Sequence, residues 1–145
     1  MTSYTTHTQI CSYYDEKERN IVLSVAKLWE QTEKNEIFSI PLSELETFLD
    51  EEFWDDDNAK PITPNQMSQR KDDSCSYHQK ALRDCDLLYP ILVKGNSKTL
   101  KVAEVFDGVH RLLKAKLLGW EKINVKFVTA EQHDASLIAI EEPTL

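Results

Sequence analysis

The segment at residues 105–128, VFDGVHRLLKAKLLGWEKINVKFV, decides the fold class of this chain. An apolar run ends at Asp107 and Gly108, a stretch with helical spacing follows and closes at Gly119, and a second apolar run comes next. This change of period predicts a strand, a turn, a helix and a second strand. The turn is unusual because it combines Asp107 and Gly108 with His110 and Arg111, which are residue types that bind ligands.

The segments around this stretch extend the same pattern. Strands are predicted at residues 36–41, 89–94, 100–106 and 123–128, and helices at residues 15–29, from Ser43 onward and at residues 76–84. The order predicts an α/β fold, in the form of a mixed α+β sheet flanked by helices. Ligands of such sheets bind outside the carboxyl ends of the strands, and Asp107 lies at one such end.

The length of 145 residues predicts a single core. Residues 1–14 are rich in Thr, Ser and Tyr and are expected to form a loose arm. Asp15 and Glu18 have the spacing of a helix-capping pair, which favours a first helix over residues 15–29. We therefore divide the chain into an N-terminal arm and helix at residues 1–35 and a domain at residues 36–145.

Composition excludes several classes of protein. The formal net charge is −8, with 25 acidic and 17 basic residues, which disfavours nucleic acid as a partner unless a local basic patch exists. The three cysteines form no CxxC pair, and the start of the chain lacks a signal-peptide pattern, so a cytoplasmic location is expected. No stretch approaches the ~20 apolar residues of a membrane span.

The turn has the features of a phosphate-binding site. A helix N-terminus offers unpaired N–H groups and a partial positive charge, and Gly108 allows a ligand to approach the backbone closely. We expect the main chain from Val109 onward to bind phosphate, with side-chain donors from His110, Arg111 and Lys114. Asp107 has three open roles: helix cap, partner of a ligand hydroxyl, or metal ligand. The alternative is an ordinary turn beside a solvated helix surface.

The sequence from Asp107 to Leu112, DGVHRL, with the following KA and LLG, resembles the signature of the ParB/sulfiredoxin-like superfamily. The resemblance covers about residues 36–128 and is strongest between residues 78 and 119. It implies a small stand-alone ParB-like domain that binds ATP or another NTP, with Mg²⁺ as a further expected cofactor. It also implies that His78 approaches the phosphate site.

Departures from the family pattern narrow the implied activity. Val109 stands where sulfiredoxins carry a reactive cysteine, so repair of sulfinic acids is not expected. Partitioning ParB proteins continue into a DNA-binding region, and only 17 residues follow Val128 here, so sequence-specific DNA partitioning is not expected. The free-serine kinases of this superfamily also have Asp-Gly before His-Arg and use a carboxylate base. Glu44 is the candidate base here, and its alternative role is that of an acidic residue favoured by a helix dipole.

Three functional hypotheses follow. The first is a nucleotide-dependent phosphotransferase or NTPase, with Glu44 and Asp107 as catalytic residues and the turn as the phosphate site. The second is a non-catalytic regulatory module that binds a small molecule or a protein. The third is a ParB-like nuclease, which the acidic composition disfavours. No metal site is predicted, because the acidic run at residues 50–57 does not fit a calcium loop.

Overall fold

A computed structural model describes residues 9–143. The helices are α1 (Val25–Gln31), α2 (Pro64–Gln69), α3 (Ser76–Asp84), α4 (Val109–Leu117) and α5 (Ala130–Ala135). The strands are β1 (Ile10–Tyr14), β2 (Asn20–Ser24), β3 (Phe38–Pro41), β4 (Trp54–Asp55), β5 (Pro61–Ile62), β6 (Ile91–Asn96), β7 (Lys101–Asp107), β8 (Lys122–Phe127) and β9 (Leu137–Glu141). The architecture is a small mixed α+β domain.

The strands form three sheets. The central one has the order β3-β8-β6-β7, in which β6 and β8 are parallel and the other pairs are antiparallel. A second sheet has the order β1-β2-β9, and β4 and β5 form a short hairpin. Strand β7 lies at an edge of the central sheet and contacts β1 of the second sheet.

The central sheet and helix α3 confirm the sequence predictions closely. The predicted strands at residues 36–41, 89–94, 100–106 and 123–128 correspond to β3, β6, β7 and β8, and the helix predicted at residues 76–84 is α3. The helix expected from Ser43 is instead two 3-10 turns, Leu42–Glu44 and Glu46–Asp50. Buried residues at positions 42, 45 and 48 recur every three residues, which is the period of a 3-10 helix.

The prediction of a helix at residues 15–29 is wrong for the first part of this segment. Asp15 closes the turn of the β1–β2 hairpin, since its Oδ1 accepts from the amides of Lys17 at 3.0 Å and Arg19 at 2.9 Å. The next residues form β2, in which the three consecutive side chains of residues 21–23 are all buried. Helix α1 begins only at Val25, and the side chain of Ser24 caps its N-terminus. Of the expected arm, residues 10–14 form β1 and residues 1–8 lie outside the described part of the chain.

Two groups of buried side chains hold the sheets and helices together. The larger one joins the central sheet to α4 and to the 3-10 turns, with Leu112 and Leu113 fully buried. The smaller one joins Ile21 and Leu23 of β2 to Leu92 of β6 and Phe106 of β7. The second sheet therefore packs on the central sheet across the predicted boundary at residue 35. No helix within residues 9–143 has both the length and the apolar character needed to span a membrane.

Candidate functional site: a cleft over the Gly108 turn

A cleft of about 460 Å³ lies over the turn between β7 and α4. Its lining comes from β1, from residues 53–54, from α3 and from the strand, turn and helix start at residues 105–111. The volume falls within the range of about 300–1,000 Å³ that is usual for small-molecule sites. The residues that sequence analysis singled out at Asp107–Arg111 therefore line an accessible cavity.

Gly108 is required by the geometry of the turn. Its φ of 117° is in a region that side chains disfavour, and an added Cβ would lie 2.9 Å from Cγ1 of Ile91 and 3.0 Å from Nη2 of Arg111. The first bond of α4 runs from the Leu112 amide to the Gly108 carbonyl oxygen at 2.9 Å. The amides of Val109 and His110 precede this bond, and no side chain within residues 9–143 caps the helix. Asp107 therefore does not cap α4, which was one of the three roles that the sequence left open for it.

Asp107 and Arg111 instead form a buried bridge with Trp29. The indole Nε1–H of Trp29 donates to Oδ2 of Asp107 at 2.8 Å, and Nη2 of Arg111 donates to the same oxygen at 3.3 Å. Arg111 is only 4% exposed; it also donates to the Pro90 carbonyl at 3.4 Å, and its Cζ lies 5.6 Å from the Trp29 ring centre. The charge of this guanidinium is thus balanced by Asp107 inside the protein.

The resemblance implied that His78 approaches the turn. In the structure His78 forms a hydrogen-bonded pair with His110. Nδ1 of His78 and Nε2 of His110 are 3.0 Å apart. One of these two nitrogens donates and the other accepts, according to the tautomers of the two rings. His110 therefore commits its Nε2 to His78, and its Nδ1 is not part of this bond.

The pair is neutral because of its surroundings. Both imidazoles stack on the indole of Trp54, with ring centres 4.4 Å away for His78 and 4.3 Å for His110. Burial, then the neighbouring His78 and the Arg111 charge, lower the pKa of His110 to about 3. Burial also lowers the pKa of His78. Neither ring adds positive charge to the cleft at neutral pH.

The structure does not bring Lys114 and Glu44 to the ligand side of the turn. Nζ of Lys114 donates to the carbonyl oxygens of Arg83 at 2.9 Å and Cys85 at 2.8 Å, at the end of α3. Oε1 of Glu44 lies 3.4 Å from Nζ of Lys101, which is the first residue of β7. Seven residues of strand place the two ends of β7 about 20 Å apart. Glu44 is therefore at the wrong end of β7 to act on a ligand at Gly108.

Two residues near Asp107 had no signal for this position in the sequence. Trp29 was expected only as part of a helix face, and Cys11 was expected in a loose arm, yet both reach the Asp107 region. Burial, followed by the charges of Asp107 and Glu104, raises the pKa of the Cys11 thiol to about 12. The Cys85 thiol donates to the Leu82 carbonyl at 3.3 Å, and burial raises its pKa as well. Both thiols are therefore protonated at neutral pH.

The described residues offer no ready metal site. Within residues 9–143 no three side chains of His, Cys, Asp or Glu are grouped as metal ligands. Two carboxylates line the cleft, and each already has a cation: Asp107 bonds to Arg111, and Asp84 lies 2.6 Å from Nζ of Lys80. The cleft has room for a nucleotide, but these residues do not fit a protein-held Mg²⁺.

The acidic run at residues 50–57 has structural tasks. Asp56 is 8% exposed and accepts from the amides of Asn58 at 2.8 Å and Lys60 at 3.0 Å, which closes the β4–β5 hairpin. Asp57 accepts from the amide of Ser76 at 3.2 Å, at the start of α3. The run therefore fixes Trp54 and α3 beside the cleft.

Comparisons of the chain with protein-family models, with curated proteins and with solved structures give no match.

Proposed function

We propose that the cleft over Gly108 binds a nucleotide or a related phosphate-bearing small molecule. The observation that carries the proposal is the N-terminus of α4, which lines the cleft at Val109 and His110 and has no side-chain cap from the part of the chain that the structure describes. Amides at such a position attract phosphate through their N–H groups and the helix dipole. The likeness of the DGVHR turn to the ParB/sulfiredoxin-like signature supports the same ligand class.

The aromatic wall of the cleft suits the other part of a nucleotide. Tyr77 lines the cleft, is 69% exposed and leans edge-on against His78 and His110. A purine or pyrimidine ring gains free energy by stacking on an accessible aromatic side chain. Tyr77 is therefore the residue that we expect to contact the base.

Binding without turnover is the form of this function that the geometry supports best. A phosphotransferase or NTPase needs a group that activates its nucleophile, and Glu44 is at the far end of β7. The carboxylates that do line the cleft, Asp84 and Asp107, are paired with Lys80 and Arg111. We therefore favour a regulatory nucleotide-binding domain over an enzyme, and the described residues give the nuclease hypothesis no metal cluster to build on.

A thermal-shift panel tests this proposal. Mono-, di- and triphosphates of nucleosides, cyclic nucleotides and inorganic phosphate are each added to the purified protein, and a ligand of the folded state raises the melting temperature. Tyr77→Ala should reduce the shift given by a nucleotide. Tyr14→Ala is the matched control, since Tyr14 is 74% exposed and lies away from the cleft. The absence of any shift across the panel, or equal loss in both variants, would contradict the proposal.

A further inference from the structure

We propose that the cleft also receives an extended segment of a partner protein, which pairs as an additional strand with the free edge of β1. The inference goes beyond the proposed binding of a nucleotide and does not depend on it. It follows from the main-chain groups that β1 directs to the cleft and from the charges of the side chains around them.

Strand β1 presents its edge to the cleft. Four consecutive residues, 9–12, line the cavity, although successive side chains of a strand point to opposite faces of its sheet. A lining without this alternation means that the main chain itself borders the cavity. Within residues 9–143, β1 pairs with β2 alone, so its other edge carries no described strand. This edge is the β1 wall of the cleft.

The groups that face the cleft follow from the pairing with β2. The carbonyl oxygen of Gln9 accepts from the amide of Val25 at 3.1 Å, on the side of β2. The direction of the main-chain groups alternates along a strand, so Cys11 also directs its N–H and C=O toward β2. The N–H and C=O groups of Ile10 and Ser12 therefore point away from β2, toward the cleft.

An extended peptide complements this wall better than a small molecule does. Donors and acceptors alternate along a strand edge, and another extended main chain presents the matching acceptors and donors at the same spacing. Helix α3 faces the cleft with Tyr77 and Ala81, which are one helical turn apart, and Tyr77 is 69% exposed. An apolar side chain of the bound segment can pack on this aromatic ring.

The charges of the lining define the partner further. Asp84 lines the cleft with a side chain that is 58% exposed, whereas the side chains of Arg111 and Asp107 are 4% and 10% exposed and pair with each other. The whole chain has a net charge of −8. Repulsion between like charges therefore selects a segment that contains Lys or Arg and lacks Asp and Glu.

A peptide screen tests the inference. The immobilised full chain is incubated with a library of acetylated and amidated octapeptides, and bound peptides are identified by mass spectrometry. We expect basic peptides with Kd values of about 1–100 μM, in the range of modest protein–peptide affinities. A library that yields no binder of this strength, or only acidic ones, would overturn the inference.

N-methylation of the best peptide tests the pairing itself. Each residue is N-methylated in turn, and binding is measured by isothermal titration calorimetry. Only every second N–H of the peptide would face β1, so methylation at alternate residues should weaken binding by at least about tenfold. Methylation effects without this period of two would contradict strand pairing.

A substitution in β1 provides the matching change in the protein. Ser12→Pro removes the N–H that points to the cleft and leaves the bonds to β2 in place, and proline is tolerated at such edge positions. The variant should retain its melting temperature and lose at least about tenfold in affinity for the peptide. Ser12→Ala keeps the N–H and should bind normally. Equal binding by the two folded variants would overturn the inference, and the methylation pattern decides if Ser12→Pro does not fold.

The two proposals for the cleft can fail separately. The same preparation is titrated with the phosphate compounds of the thermal-shift panel. A peptide that binds as described, while no phosphate compound does, would contradict the proposed function and leave this inference standing. Binding of a phosphate compound without any peptide from the library would overturn this inference and leave the proposed function standing.

Discussion

Arg111 shows how a predicted ligand-binding side chain can serve the fold instead. The sequence presents its guanidinium next to a helix N-terminus, where it could bind phosphate. In the structure it is 4% exposed and ties Asp107 to the Pro90 carbonyl under the ring of Trp29. A buried guanidinium needs a carboxylate, and the nearest one is four residues back on the same turn.

Replacement of Arg111 by alanine should therefore destabilise the protein and not merely weaken a ligand. Asp107 would remain largely buried without its cation, and breaking such a pair typically costs about 3 kcal/mol. Urea unfolding should show this loss for Arg111→Ala and almost none for Arg83→Ala, an exposed arginine of α3. A stable Arg111→Ala variant that lacked only ligand binding would show that the guanidinium faces the ligand.

The histidine pair makes the free energy of unfolding depend on pH. The pKa of His110 is about 3 in the folded protein, while a histidine in an unfolded chain titrates near 6.5. The unfolded state thus binds a proton first, so stability is full above pH 6.5 and is lost as the pH falls toward 3. We expect the protonation of His110 in the unfolded state to lower the free energy of unfolding by about 1–2 kcal/mol between pH 7 and pH 5.

The variant His110→Gln provides the comparison for this pH effect. Glutamine can form a hydrogen bond with His78 but does not titrate, so the slope of unfolding free energy against pH between 7 and 5 should become shallower. Identical slopes for the two proteins would mean that His110 is not held neutral by the fold.

At the scale of elements, the junction of β7 and α4 depends on one backbone conformation. Gly108 turns the chain with a positive φ, and its missing side chain leaves room for Ile91 and for the Arg111 guanidinium. Gly119 ends α4 with a φ of 79° but has open space around it. Substitutions at the two glycines therefore distinguish the free-energy cost of a positive φ from the cost of steric crowding by neighbouring side chains.

Alanine substitutions at these glycines should differ in their effect. Gly119→Ala should cost about 1 kcal/mol, the usual penalty of a positive φ for a residue with a side chain. Gly108→Ala should cost about 2–3 kcal/mol, because its Cβ also collides with Ile91. Denaturant unfolding of both variants measures the difference. Equal losses would show that the turn can relax around a side chain.

At the scale of the whole molecule, the N-terminal and C-terminal segments form one sheet. Strand β2 lies between β1 and β9, so residues from opposite ends of the chain pair directly, as Asn20 does with Glu141. Lys126 of β8 connects the central sheet to α1, because its buried ammonium group donates to the carbonyls of Thr32 and Glu33 at the end of that helix. These contacts hold the β1 wall of the cleft in place.

How much of this could be predicted depends on whether the signal was local. Strand β7, Gly108 and α4 were predictable because a change of period and a glycine mark them in the sequence. The Trp29–Asp107 bond and the stack of His78 and His110 on Trp54 were not, because each joins segments far apart in the chain. Strand β2 was missed because NIVLSVAKLWE, residues 20–30, also fits a helical period once Ile21, Val22 and Val25 are counted.

Removal of residues 1–35 should therefore prevent folding of the remainder. The fragment 36–145 would lose β1, β2 and α1, and would expose Leu92 and Phe106, which pack against β2 in the full chain. We expect circular dichroism of the fragment to show no cooperative melting transition. A fragment that melts like the full chain would show that residues 36–145 are an independent domain.

The central claim is that main-chain amides at the start of α4 bind the ligand's phosphate, and an NMR titration tests it most directly. A ¹⁵N-labelled sample is titrated with the tightest-binding phosphate compound while all amide signals are followed. The account predicts that the largest saturable downfield shifts occur at the amides of Val109 and His110, with the amide of Gly119 unaffected as an internal reference. Saturable binding that moves amides elsewhere and leaves Val109 and His110 unchanged would contradict it.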